Sequence, residues 1–167
     1  MRVLDNLVPE KVFYYFEELC NIPHGSTNTK AISDYCVNFA KERGLAYHQD
    51  AENNIIILKN GSKGYEDSKP VIIQGHLDMV CEKEADCTID FEKDGLSLAI
   101  DGDYIYAEGT TLGGDDGIAV AMALAILDDD TLEHPPIEAV FTVDEEIGML
   151  GAVAVSYTHL RAHETGR

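Results

Sequence analysis

Basic residues are scarce in this 167-residue chain: 12 Lys and Arg stand against 31 Asp and Glu, a formal net charge of −19. No Lys/Arg cluster of the kind that neutralises phosphates is present, which argues against a nucleic-acid partner and against attachment to an anionic membrane. Solubility is the ordinary reading of most of this acidity. No run approaches the roughly 20 apolar residues of a membrane span. The start, Met1-Arg2-Val3-Leu4-Asp5-Asn6, turns polar too early for a secretory signal. Cys20, Cys36, Cys81 and Cys87 form no Cys-x-x-Cys pair. Without a secretory signal they read as buried or free thiols of a reducing compartment, and a cytoplasmic location is expected. There is no internal repeat and no Asp-x-Asp-x-Asp-Gly loop of the EF-hand type.

What is present suits a globular domain. The hydrophobic fraction is 45%, and a chain of this size buries most of its surface on folding. Residues 9–21 open with Pro9 and carry Val12, Tyr15, Phe16 and Leu19 at helical spacing. A second amphipathic helix is expected from Asn28 to Arg43, with Ile32, Cys36, Phe39 and Ala40 inward and Gly44 as its stop. Asn53–Leu58 and Pro70–Gln74 are short, β-branched and bounded by turn residues, so both read as buried strands. Asp101-Gly102-Asp103 reads as a hairpin turn. The segment from Asp115 to about Leu127 is apolar nearly all round, the mark of a buried helix, and Ile137–Val143 reads as a further strand. Alternating helices and buried strands predict an α/β fold with a largely parallel sheet flanked by helices.

Three acidic islands lie at the ends of these runs: Gln74-Gly75-His76-Leu77-Asp78, Gly113-Gly114-Asp115-Asp116-Gly117 and Thr142-Val143-Asp144-Glu145-Glu146. Open α/β sheets present their clefts at the carboxyl ends of strands, so side chains there converge. A neutral imidazole at His76 suits zinc, and Asp78, two residues on, is placed to orient it. Each island also has a plain explanation. A strand-end His can be satisfied structurally, carboxylates favour a helix N-terminus, and acidic residues after a strand are commonly just solvated. Adjacent glutamates on extended backbone point apart, so Glu145 and Glu146 can serve one site only if the chain turns there.

In combination and order, the three islands resemble the co-catalytic zinc peptidases, a family of dipeptidases, aminoacylases and carboxypeptidase-type amidohydrolases. Gly75-His76-Leu77-Asp78-Met79-Val80-Cys81-Glu82-Lys83, Gly109-Thr110-Thr111-Leu112-Gly113 and Phe141-Thr142-Val143-Asp144-Glu145-Glu146-Ile147-Gly148 carry the likeness. It implies a zinc-exopeptidase-like catalytic domain, incomplete here, and metal-dependent hydrolysis of dipeptides, aminoacyl-histidines among them. It implies two divalent metals, Zn2+ with Co2+ or Mn2+ as alternatives. By the same resemblance His76 is a ligand of one metal, Asp115 the carboxylate bridging both, and Glu146 a ligand of the other. Asp78 orients His76, and Glu145 is the general base. The family also places a cis peptide after the bridging Asp, here Asp115–Asp116, and Asp116 stands where Asn is common.

Two further ligands in the family come from beyond residue 154, an acidic residue and a distant His. Each metal would then keep two protein ligands here, so the 167-residue chain by itself is expected to be inactive or nearly so. A small peptide is the implied partner, and a homodimer of the full-length parent is left open. So are two other functions: a tripeptidase or N-acyl amino acid deacylase of the same family, and a non-catalytic acidic module for Ca2+ or Mg2+. Residues 1–154 are thus read as the N-terminal part of the catalytic domain. Residues 155–167 resemble one reading frame of a transposon-type sequencing adapter, and this tail is expected to be non-native and disordered. His159 and His163, at i, i+4 spacing within it, are set aside as ligands.

Overall fold

The computed structural model describes residues 2–155; all of the adapter-like tail but Val155 lies outside the described residues. Helix α1 (Glu10–Cys20) follows Pro9 and turns Tyr15, Phe16, Leu19 and Cys20 inward. Helix α2 (Lys30–Glu42) buries Ile32, Cys36, Phe39 and Ala40, the four positions its periodicity predicts. It stops as expected at Gly44, whose φ of +65° only glycine adopts freely. The Leu45 N–H bonds to the Ala40 carbonyl and the Gly44 N–H to the Lys41 carbonyl, the paired bonds of a Schellman ending.

Strands β1 (Ala46–Gln49), β2 (Ile55–Lys59), β3 (Val71–His76) and β6 (Ile137–Thr142) make one sheet in the order β1-β2-β6-β3. Strands β4 (Leu98–Asp101) and β5 (Tyr104–Ala107) form the separate hairpin expected around Gly102. Helix α3 (Gly114–Leu127) connects toward β6, and a short α4 (Leu150–Ala154) follows it. Helix α1 packs on α3, α3 on β3, and α2 on β1 and β2. One sheet face, with Ile55, Ile57, Ala139 and Phe141, joins the helices in the main core. Ile56 and Val140, with Leu58, form a small cluster on the other face. The α/β class holds, with helices flanking the sheet.

Three expectations differ from the fold. Within the four-stranded sheet, among the described residues, only β3 and β6 pair in parallel, because β1–β2 and β2–β6 are antiparallel. Strand β3 is not buried: Val71 and Ile72 are 47% and 39% exposed, since among the described residues it has a neighbour on one side only. Helix α3 likewise keeps an open stripe at Ile118 and Met122, although Val120, Ala121, Ala123 and Leu124 are fully covered. Among the described residues no helix is long and apolar enough to cross a membrane.

Lys59, at the end of β2, ties the sheet to α3. Its ammonium donates to the carbonyls of Leu127 and Asp129 at 2.9 Å and lies 3.3 Å from the Asp130 carboxylate. The terminal carbonyls of a helix have no partner within it and carry the negative end of its dipole, so a buried cation there stabilises both. Lys59→Met, which keeps the stem but removes the charge, should lower stability by about 1–3 kcal/mol. Chemical denaturation, with an unchanged dependence on denaturant, is the measurement that checks it.

Candidate metal centre

The parallel register sets the site. His76 lies opposite Thr142 at the ends of β3 and β6, and the Leu77 N–H bonds to the Thr142 carbonyl at 2.8 Å, so the two chains leave the sheet together. At Gly75 strand β3 comes close against α3. A Cβ there would come within 2.9 Å of the Asp116 carboxylate and 3.2 Å of Val120. Glycine therefore lets the start of α3 close on β3, and that start carries Asp115. Asp115 and Asp116 are not helical in φ/ψ, and the peptide between them is cis, as the family resemblance implied.

The turn required after β6 is also present. Asp144 adopts φ +56°, its carboxylate accepts the Thr27 N–H at 2.6 Å, and the Gly148 and Met149 N–H groups close back on the Glu145 carbonyl. Asn54 braces the turn from β2, with its side-chain oxygen 3.1 Å from the Val143 N–H and its amide donating to the Gly151 carbonyl at 2.9 Å. Glu145 and Glu146 consequently face one place. Ligating atoms of His76, Glu145 and Glu146 lie within 4.8 Å of one another.

His76 is 6% exposed. Its Nδ1 is 2.9 Å from the Asp78 backbone carbonyl, an acceptor, so Nδ1 carries a proton. In the neutral ring Nε2 is then a bare lone pair, and it faces Asp115 Oδ1 at 3.1 Å and Glu145 Oε2 at 3.9 Å. Two acceptors at that distance repel unless a proton or a metal cation lies between them. Among the described residues no Lys or Arg forms an ion pair with Asp78, Asp115, Asp116, Asp144, Glu145 or Glu146; Asp78, Asp115 and Glu145 lie within ion-pair distance of His76. Carboxylates gathered without a basic partner, around an imidazole lone pair, fit a divalent cation by their donor chemistry.

The titration of these groups reflects the crowding. Burial alone would lower the His76 pKa, but the Asp115 hydrogen bond, the Asp78 carbonyl and the Asp78 and Asp116 charges outweigh it and hold the ring above its ordinary value. Burial raises Asp116; the charge and backbone N–H of His76 oppose that, and Asp115 and Glu145 reinforce it. His24, itself buried, is lowered by that burial, against the Ile22 carbonyl and the Asp78 charge.

All five expected residues, His76, Asp78, Asp115, Glu145 and Glu146, thus meet at one end of the sheet. Asp78 behaves differently in detail from the expectation. Its backbone carbonyl makes the close bond to His76, while its fully enclosed carboxylate lies 3.5 Å from Nδ1. That carboxylate instead accepts the Glu145 N–H at 3.0 Å, the Glu146 N–H at 3.3 Å and the Ser26 hydroxyl at 2.8 Å. Ser26, Thr27 and Asn54 were not singled out from sequence. For Asn54 the one available signal is a polar Asn beside an isoleucine run.

Residues 72–164 match the model of peptidase family M20/M25/M40, a match that runs on past Ala154 into the stretch set apart above. The cytosol non-specific dipeptidase of Escherichia coli K12 is 42% identical over 162 residues, covering 97% of this chain and 33% of the relative. The crystal structure of aminoacylhistidine dipeptidase from Vibrio alginolyticus superimposes with a TM-score of 0.91 at 39% identity, covering 95% of this chain and 32% of that one. The aminopeptidase PepT of Bacillus cereus shares the fold, with a TM-score of 0.73 at 22% identity over 92% of this chain and 41% of that one. The chain spans about a third of the length of the two dipeptidases.

In the metal-free chain His76 should titrate above the usual histidine value of about 6.5 and His24 below it. The His76 contribution to stability is therefore present below the unfolded-state pKa and lost as pH rises through the folded one. That of His24 has the opposite sign, destabilising as acid forces a charge on the ring. Ring resonances followed by NMR should report both, and added Zn2+ should abolish the His76 titration while leaving that of His24 in place.

Proposed function

The chain belongs to peptidase family M20/M25/M40, and from that membership we propose that residues 1–154 form the N-terminal part of the catalytic domain of a cytoplasmic, metal-dependent dipeptidase. Its substrates are small peptides, aminoacyl-histidines and other dipeptides. One observation carries the reading: the His76 lone pair, committed by the Nδ1 bond to Asp78, is aimed at the Asp115 carboxylate with Glu145 and Glu146 beside it.

His76 and Asp115 would hold one divalent metal, and Asp115 with Glu146 the other, with Zn2+ the ion best suited to a mixed imidazole and carboxylate set. When bound, such ions polarise the scissile carbonyl and make water a stronger acid. Glu145 is left free on the rim, its side chain 39% exposed. In this reading its carboxylate takes a proton from the attacking water as the oxygen–carbon bond forms. It returns that proton to the leaving nitrogen as the carbon–nitrogen bond breaks. Asp78 holds the His76 ring through its carbonyl and the Glu145–Glu146 turn through its carboxylate. Two protein ligands per metal fall short of the three or four of a stable site. This chain alone is accordingly expected to show no appreciable turnover, and a full-length form carrying the same residues to be active.

His76→Ala should weaken Zn2+ binding to the chain by at least about 100-fold, read by calorimetric titration. Equal Zn2+ affinity in the two chains, or a site selective for Ca2+, would sink the proposal. In a full-length enzyme carrying these residues, Glu145→Gln should retain metal and lower kcat about 10²–10⁴-fold on dipeptides. N-acetyl amino acids should be poor substrates of the same enzyme.

A further inference from the structure

The segment between α1 and α2 does more than join them. Gly25 pairs with Met79 in a parallel bridge, the Met79 N–H bonds to the His24 carbonyl at 3.1 Å, and the Ser26 N–H reaches the Met79 carbonyl at 3.4 Å. Residues 24–26 therefore run as a short strap along the chain that carries Asp78. The approach is close: a Cβ on Gly25 would stand 2.5 Å from the Cys81 sulfur. The strap reverses immediately, with Thr27 at φ +71° and the Asn28 N–H on the Gly25 carbonyl at 2.8 Å.

Two contacts leave the strap toward the site. The Ser26 hydroxyl donates to Asp78 Oδ2 at 2.8 Å, and the Thr27 N–H to Asp144 Oδ1 at 2.6 Å. Among the described residues Asp78 Oδ2 has one other donor, the Glu146 N–H at 3.3 Å, while Oδ1 takes the Glu145 N–H at 3.0 Å. The Asp78 side chain has no exposed surface, so water cannot readily replace a lost donor. Without the hydroxyl, Oδ2 would keep only its longest bond, and the carboxylate would lose the contact that sets its rotation.

We propose that Ser26 is a positioning residue: through Asp78 it holds the backbone of the Glu145–Glu146 turn, and so presents both carboxylates to a metal ion. Among the described residues the Ser26 hydroxyl bonds to Asp78 and to none of the ligating side chains, so its effect passes through the Asp78 carboxylate. The consequence for metal binding rests on the functional reading above. The grip on the turn does not, and it can be tested without metal.

The test uses this chain with Ser26→Ala, Ser26→Thr and Thr27→Ala. Amide hydrogen exchange in the metal-free chain should quicken about 10-fold at Glu145 and Glu146 in Ser26→Ala, with the amides of β2 and β6 unchanged. Ser26→Thr keeps the hydroxyl and should restore protection. Thr27→Ala should have no effect, because its contact to Asp144 is made by the backbone. Visible absorption on Co2+ titration should show affinity weakened about 10–100-fold in Ser26→Ala with an altered band shape, and recovered in Ser26→Thr. Unchanged exchange at Glu145 and Glu146 overturns the proposal. General loss of protection across β2 and β6 also overturns it, because Ser26 would then hold the fold and not the turn. So does a Co2+ affinity unaffected by a loosened turn. If the unsubstituted chain takes up no Co2+, the metal-centre reading fails, and the exchange data alone decide the role of Ser26.

Discussion

The in-register parallel pairing of β3 with β6 is the constraint on which the site depends. It sets His76 level with Thr142, so the imidazole and the turn bearing two glutamates leave the sheet at the same height. Side chains alternate across a strand, and a slip of one residue would carry His76 to the opposite face. The register is held at both ends. The Val71 N–H bonds to the Pro136 carbonyl at 2.9 Å where β3 begins, and the Leu77 N–H to the Thr142 carbonyl at 2.8 Å just past its end. Gly75 adds the third dimension, because its missing side chain is the space through which α3 brings Asp115 to the ring.

Around that frame the chain concentrates like charge at one point. A protein with a formal charge of −19 can spread repulsion over its surface, yet Asp115, Asp116, Glu145 and Glu146 converge on a single imidazole. Against its burial, His76 is held above its ordinary pKa by the surrounding carboxylates, and burial, with the Asp115 and Glu145 charges, raises that of Asp116. A divalent cation would relieve the repulsion. The same concentration of negative charge suits a cation, and perturbed groups of this kind mark candidate functional places.

The two halves of the machinery are supported unequally. His76 is fixed by a backbone carbonyl of its own segment, two residues away, whereas the Glu145–Glu146 turn is held by side chains from three remote segments: Ser26 and Asp78 ahead of it, and Asn54 across the sheet. Strand β3 keeps an open edge and α3 an open stripe, in a chain that spans about a third of its dipeptidase relatives. His76 and Asp78 are nevertheless enclosed, while Asp115 and Glu146 stand open to solvent.

Local pattern made much of this readable. Helical spacing in α1 and α2, the β-branched runs of β2 and β6, and glycines beside carboxylates are short-range signals, and each lies where the periodicity of side chains places it. Strand β1 was not readable: Ala46-Tyr47-His48-Gln49 is mostly exposed and becomes a strand only through its pairing with β2. Nor was the openness of β3, since a β-branched run looks the same with one neighbour or two. The five candidate site residues, and the chain's kinship to its peptidase family, were thus inherent in the order of amino acids along the chain. The division of labour within Asp78, its carbonyl to His76 and its carboxylate to Ser26 and the Glu145–Glu146 turn, joins groups up to 68 positions apart. Such contacts arise only when packing has brought those segments together, and no spacing along the chain encodes them.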